Sequence, residues 1–366
     1  MKALACARLR AGGLVLLLVA AVLVALPPRS AHGAAGDLAK AQAFVADLKM
    51  GVAVERTHWR ALRFRGAPVA NGSAYWSYLA GLGITHVHFE IPYGFNGAAR
   101  QVGPGDVQQF MLVVSGALNA GLKVTLNLMD VFDLRDAQNN ASAVDAYLSM
   151  AAGIVAAQGF DRSRIAIGSA EEFGGATNAA WQPIMRHWLA TLRRALPGYV
   201  LVAGPANWNY YGGRTALNGY NEGTGLLGNR HGGDPFVPLT DMLVIYDFHT
   251  YDPLFFPTAP NLWSAAADGI AAWQAGPGAG RPVYAGEVGT TAGKSGPFKP
   301  EDLVPMATGM GRYAPCPWSI TGGNSSYNLI NLGRHDAALS PQMERAFQAA
   351  ARVIVGSAYF GNRAAR

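Results

Sequence analysis

Eight short apolar runs recur along the chain at near-regular intervals, and that rhythm leaves few folds open. They lie at 50–54, 86–90, 123–128, 165–169, 200–203, 242–248, 282–287 and 316–320. Their starts are 36, 37, 42, 35, 42, 40 and 34 residues apart, with no strong repeat in the residues themselves. Helical periodicity fills most of the gaps, at 74–82, 107–120, 141–157, 178–196, 262–273, 300–310 and 341–355. The exception is a glycine- and asparagine-rich stretch, 212–233, which reads as a long loop. Strands that alternate with helices pair in parallel, because each crossover returns the chain to the same edge. Eight such units in about 320 residues predict an α/β fold of the closed (β/α)8 TIM-barrel type, with its functional end at the C-terminal strand ends. An open doubly wound sheet usually carries a glycine-rich phosphate turn after its first strand. Here 50–54 runs into Glu55-Arg56-Thr57-His58 instead.

The N-terminus reads as a targeting segment. Lys2, Arg8 and Arg10 precede an apolar run, 14–26, that is short for a membrane span. Pro27 and Pro28 end it, and Ala31-His32-Gly33 has the small-x-small pattern of a cleavage site. The expectation is a signal peptide over 1–33, a single mature domain over 34–366, and secretion to an extracellular or periplasmic space. Removing the segment takes four of the 29 basic residues and none of the 23 acidic ones, leaving 25 against 23. So weak a balance gives no reason to expect a nucleic-acid partner, or a membrane partner once the signal is cleaved. Cys6 leaves with the signal and Cys316 remains, so no intramolecular disulfide can form. A monomer is expected, held by its core alone.

Two apolar runs end in glutamate and then break at glycine: Ile165 to Glu172 before Phe173-Gly174, and Pro282 to Glu287 before Val288-Gly289. In a barrel both carboxylates reach the same mouth. One protonated and one ionised carboxylate are what cleavage of a glycosidic bond requires. His249 and Tyr251 end the sixth run two residues apart and share a face in extended chain. Trp208, Trp318 and Tyr93 lie at or just beyond strand ends, where aromatic rings can stack on the apolar faces of sugars. His86 and His88 share a face with Glu90 and form a rival motif, since two histidines on one strand can bind a metal.

Glu172 before Phe173, Pro205-Ala206-Asn207-Trp208-Asn209, His249-x-Tyr251, Gly286-Glu287-Val288-Gly289 and Trp318 occur in one order. In that order they resemble cellulase-type glycoside hydrolases of family 5, the retaining enzymes of clan A. The resemblance runs from about Gly51 to the C-terminus. It implies a barrel that cleaves β-1,4-linked glucan or a related β-glycan by double displacement, with a polysaccharide or oligosaccharide as its partner. No cofactor and no metal are implied. By the resemblance Glu172 is the acid/base and Glu287 the nucleophile. His249 and Tyr251 hydrogen-bond that pair. Trp318 stacks on the sugar at the cleavage point, and Trp208, Asn207 and Tyr93 line the cleft.

The departures fall at three places. The family usually has Asn before its acid/base; Glu171 stands here and is expected at the cleft rim in a supporting role. It usually has Arg ending the second strand. Here the Ile91-Pro92-Tyr93 anchor puts Glu90 in that place, or His88 if the register slips by two. It usually has His after the third strand, where Leu126-Asn127-Leu128-Met129-Asp130 offers Met129. These changes keep open a non-catalytic polysaccharide-binding barrel, and His86 with His88 keeps open a metal-dependent barrel hydrolase.

Overall fold

The computed structural model describes residues 31–54, 63–65, 67–69, 73–91, 93, 102–129, 132–171, 173–174, 176–206, 234–250, 262–289, 299–317 and 338–364. Seven strands form one sheet in chain order: β1 (Met50–Val54), β2 (Ile84–Glu90), β3 (Lys123–Asn127), β4 (Ile165–Gly168), β5 (Val200–Ala203), β6 (Val244–Thr250) and β7 (Val283–Val288). Every neighbouring pair is parallel. An in-order, all-parallel sheet with helical crossovers is the wall of a TIM barrel.

The wall closes through Pro315-Cys316-Pro317. On one side Cys316 N–H donates to the Ala285 carbonyl at 3.0 Å, and Val288 N–H donates to the Cys316 carbonyl at 2.8 Å. On the other side Gly51 and Ala53 donate to the carbonyls of Pro315 and Pro317 at 3.0 and 3.2 Å. Proline carries no N–H, so this second seam takes only the bonds that β1 donates. The eighth run of the sequence therefore serves as a closing strand without forming a full ladder. Its remainder, 318–320, lies outside the described residues.

Around the wall stand the helices α1 (Ala31–Asp47), α2 (Ser73–Gly81), α3 (Pro104–Asn119), α4 (Leu134–Asn139), α5 (Ala141–Ala157), α6 (Asn178–Ala195), α7 (Leu262–Ala275), α8 (Pro300–Met310) and α9 (Pro341–Ala364), with two small two-stranded sheets, Arg63–Phe64 with Ala67–Pro68 and Phe132–Asp133 with Phe173–Gly174. Local chemistry sets their ends. Pro104 opens α3, and the Asp106 carboxylate accepts from Gly103 N–H at 3.1 Å. Thr177 Oγ1 accepts from Ala180 N–H at 3.2 Å, while Arg193 and Arg194 complement the C-terminal dipole of α6. Trp181, Met185, Trp188, Leu189 and Leu192 of α6 lie at helical spacing and are buried in the main core between helices and wall.

The helix α1 is not among the helical patterns read from the sequence. It plugs the N-terminal mouth of the barrel. Ala41, Phe44 and Leu48 form a second apolar cluster with Ala166, Val200, Val202, Ile245 and Tyr284. Lys123 Nζ lies 4.7 Å from the centre of the Phe44 ring and donates to Asp47 Oδ2 at 2.7 Å. With the base sealed, the open end is the one where β2, β6 and β7 deliver Glu90, Thr250 and Val288.

Candidate active site

Side chains alternate along a strand, so every second residue of the wall enters the barrel. In β2 those residues are His86, His88 and Glu90; in β3, Thr125 and Asn127; in β6, Asp247 and His249. All are at most 1% exposed. The barrel is thus filled with polar groups in rungs.

The lowest rung holds Gly51, His86 and Cys316. His86 Nε2 lies 3.0 Å from Cys316 Sγ, and a Cβ at residue 51 would overlap both side chains. Burial, aided by the charge of His88, lowers the His86 pKa to about 3. Burial likewise holds the Cys316 thiol well above its ordinary value. Both are neutral, inert packing groups. This parts the rival pair: His86 belongs to the floor, His88 to the rung above.

That upper rung centres on Glu171. His249 Nε2 lies 2.6 Å from Glu171 Oε1, and His88 Nε2 lies 2.9 Å from Glu171 Oε2. Asn127 Nδ2 also donates to Oε2. His88 Nδ1 faces Thr125 Oγ1 at 3.0 Å and the Tyr284 hydroxyl at 3.4 Å. His249 Nδ1 lies 3.4 Å from Glu287 Oε2, and Nε2 lies 3.6 Å from Asp247 Oδ2. One ligand-capable atom each from His88, Glu171, His249 and Glu287 lies within 4.8 Å of all the others.

Glu287 reaches this group because β7 breaks step. The β6–β7 register shifts between Phe248 and His249, pairing His249 with Glu287 and leaving Gly286 as an extra residue. A bulge of this kind re-aims the side chain that follows it. Asp247 holds the bulge, its Oδ1 accepting from Gly286 N–H at 2.8 Å. A Cβ at Gly286 would overlap the same carboxylate. Gly168 makes room in the same way for the Asn127 amide.

The ionisation of the rung follows from competing effects. Burial would raise the Glu171 pKa, but the imidazoles of His88 and His249 hold it well below the usual carboxylate range. Burial would lower both histidines; Glu171 raises His88, and Glu287 with Glu171 raises His249 well above its ordinary value. Asp247 is raised by burial and by the charge of Glu171.

Of the residues singled out from the sequence, Glu287, His249, Glu171 and His88 converge here. Glu90 is buried on the same face of β2, two residues nearer the open end. Of the two, His88 is the one that touches Glu171. Glu171 is not at the rim. Its exposure is 1%, because β4 ends at Gly168 and the chain turns in, with Glu171 N–H donating to the Met129 carbonyl at 3.0 Å. Met129 itself packs in the outer core, and the inward residue of β3 that reaches Glu171 is Asn127. Tyr93 is 6% exposed and stacks on Tyr147 with centroids 3.5 Å apart, so one ring face is covered. Glu172, Tyr251, Asn207, Trp208 and Trp318 lie outside the described residues, and with them the Glu172–Glu287 separation.

Sequence reasoning missed Asn127, Thr125, Asp247 and Tyr284. The available signal was a polar residue at every second position of an otherwise apolar strand, as in Ile245-x-Asp247-x-His249.

Comparison with known proteins bears on this geometry. The profile of the family Cellulase (glycosyl hydrolase family 5) matches residues 57–315. Among curated proteins no sequence match is found. Solved structures share the fold at low identity. An endoglucanase is 13% identical with a TM-score of 0.59, covering 84% of this chain and 99% of its own. Thermotoga maritima Cel5A, in complex with mannotriose, is 15% identical with a TM-score of 0.58, covering 83% and 98%. The catalytic domain of Thermobifida fusca endoglucanase Cel5A, in complex with cellotetraose, is 13% identical with a TM-score of 0.58, covering 83% and 91%.

Proposed function

Because the chain belongs to glycosyl hydrolase family 5, and is therefore a glycoside hydrolase, we propose that it is a secreted, retaining enzyme acting on β-1,4-linked glucan or a related β-glycan. The observation that carries the reading is the bulge at Gly286, which brings the Glu287 carboxylate beside His249 at the catalytic end of the barrel. In the proposed reaction the Glu287 carboxylate attacks the anomeric carbon. The bond to the leaving oxygen breaks as that oxygen takes a proton from Glu172. The same group, now a carboxylate, then deprotonates a water that attacks the glycosyl-enzyme and frees Glu287.

The acid must hold a proton near neutral pH. Glu171 is unsuited to that, since two imidazoles keep it ionised. The acid role therefore falls to Glu172, with Glu171 positioning His249. An imidazolium at 3.4 Å in turn favours the ionised, nucleophilic form of Glu287. Tyr251 would join His249 against the pair, while Trp318, Trp208 and Asn207 would hold the sugar. The oligosaccharides in the Thermotoga and Thermobifida complexes, mannotriose and cellotetraose, suggest glucan and mannan as the first substrates to try.

The test is reducing-sugar release from a panel of β-glycans by wild type and Glu287→Gln. The variant should fold normally and lose activity by several orders of magnitude on every substrate the wild type cleaves. A wild type that binds the glycans and cleaves none, or a fully active variant, would reject the mechanism.

A further inference from the structure

We propose that His88, Glu171, His249 and Glu287 also form a binding site for one divalent transition-metal ion of the zinc class, seated at the floor of the catalytic cleft. The first support is convergence. Three side chains from β2, β6 and β7 and one from the turn after β4 bring ligand atoms within 4.8 Å of one another, and all four are at most 3% exposed.

The second support is charge. The described buried residues include four carboxylates, Glu90, Glu171, Asp247 and Glu287, and neither lysine nor arginine. That many acids cannot stay ionised out of water without positive charge among them. The two imidazoles can supply it by taking two protons. One divalent cation supplies the same charge and uses the donors' lone pairs directly.

The third is the setting of His88. Its Nδ1 faces Thr125 Oγ1 at 3.0 Å, with Tyr284 behind, and its Nε2 faces the cluster. With Nδ1–H donating to a hydroxyl oxygen, the Nε2 lone pair faces the cluster and can meet a metal. Asn127 fixes Glu171 in the same way.

Loading asks for a contraction. Tetrahedral zinc, bonded at about 2.0–2.1 Å, holds its donors roughly 3.3 Å apart. Each residue offers one atom, and the four now lie within 4.8 Å of one another. His249 can present one ring nitrogen to the ion, either Nε2, 2.6 Å from Glu171 Oε1, or Nδ1, 3.4 Å from Glu287 Oε2, and side-chain rotation must bring the remaining donors in. Two imidazoles and two carboxylates suit zinc, whereas magnesium and calcium prefer oxygen alone. An ion there engages the lone pair with which Glu287 would attack a sugar, so the loaded chain should not hydrolyse. That consequence rests on the catalytic reading above; the binding does not.

The full chain is dialysed against a chelator and titrated calorimetrically with ZnCl2, and separately with CoCl2, whose tetrahedral complexes absorb visible light. Expected are one zinc per chain, a visible cobalt spectrum that zinc abolishes, and loss of both in Glu171→Gln. Thr125→Val keeps every ligand and nearly the same volume; it should weaken zinc about 10–100-fold by freeing the His88 ring. Circular dichroism checks folding. Should Glu171→Gln fail to fold, the wild-type cobalt spectrum and Thr125→Val decide alone. No stoichiometric zinc in the wild type, or unweakened binding in the folded variants, overturns the site. Hydrolysis by the chelated chain is read alongside. A chain that hydrolyses and binds no zinc loses the metal site and keeps the catalytic reading. One that binds zinc and hydrolyses nothing in either state keeps the site and loses that reading.

Discussion

A hydrogen atom in place of a methyl group at residue 286 decides whether Asp247 fits inside the barrel. The Asp247 carboxylate occupies the space where a side chain would sit, and it accepts the Gly286 amide proton. Gly286→Ala should force the two apart and cost about 1–3 kcal/mol by overpacking. Because Glu287 follows directly and His249 is 3.6 Å from Asp247, kcat should fall by more than the folded fraction accounts for. Denaturant unfolding and steady-state kinetics on one preparation separate the two effects. Glu287 and His249 were legible in the sequence because they end strands and stand beside turn residues. Asn127, Asp247 and Thr125 were not, because a polar residue inside an apolar run looks like noise until its neighbours across the barrel are known. Glu171 was legible as a residue and misplaced in space. Alternation along β4 stops at Gly168, and no sequence pattern marks which way the chain turns after it.

Among the elements, α1 has the clearest energetic role. Phe44 is 2% exposed, sealed between the interior cluster and the Lys123 side chain. Phe44→Ala should cost about 3–5 kcal/mol, since the rigid strands around it cannot collapse into the cavity. Chemical denaturation should show a lower midpoint with a similar slope. A change below about 1 kcal/mol would mean that the plug is not part of the cooperative unit. The seven wall strands were readable as short apolar runs and most helices from a period of 3.6. The helix α4, six residues long, is too short to show a period. The helix α1 does show one, in Ala41, Phe44, Val45 and Leu48, immediately downstream of a segment that reads as a targeting signal. Of the eighth run, read at 316–320, Cys316 and Pro317 lie in the closing segment, where Pro315 and Pro317 cannot donate to a ladder; the rest lies outside the described residues.

At the scale of the molecule, the barrel buries hydroxyls as well as carboxylates, and this sets its behaviour in alkali. Burial holds Tyr147 and Tyr284 well above their ordinary values and pushes Tyr246 up to about 12, where its hydroxyl accepts from Leu239 N–H at 2.9 Å. A phenol whose folded pKa is raised stabilises the fold fully below its unfolded value near 10. That contribution is lost as pH rises through the folded value. Stability should therefore fall between pH 10 and about 12, with Tyr246 alone accounting for roughly 2–3 kcal/mol. The free energy of unfolding, followed over that range for wild type and Tyr246→Phe, should decline less steeply in the variant. Parallel slopes would remove Tyr246 from the account.

The half-laddered seam between β1 and the Pro315–Pro317 segment bears on how such a chain assembles. It joins residues near the two ends of the described fold, Gly51 to Pro315 and Ala53 to Pro317, so it spans the longest loop the wall contains. Closing a long loop costs entropy before any contact repays it. The other seven junctions of the wall, six between the sheet strands and one between β7 and Cys316, join segments adjacent in the chain and can form in sequence. The seam is thus the last to be repaid, and two backbone hydrogen bonds hold it. Kinetically the barrel is a curled ribbon that folds from within and zips shut last, where its two edges meet.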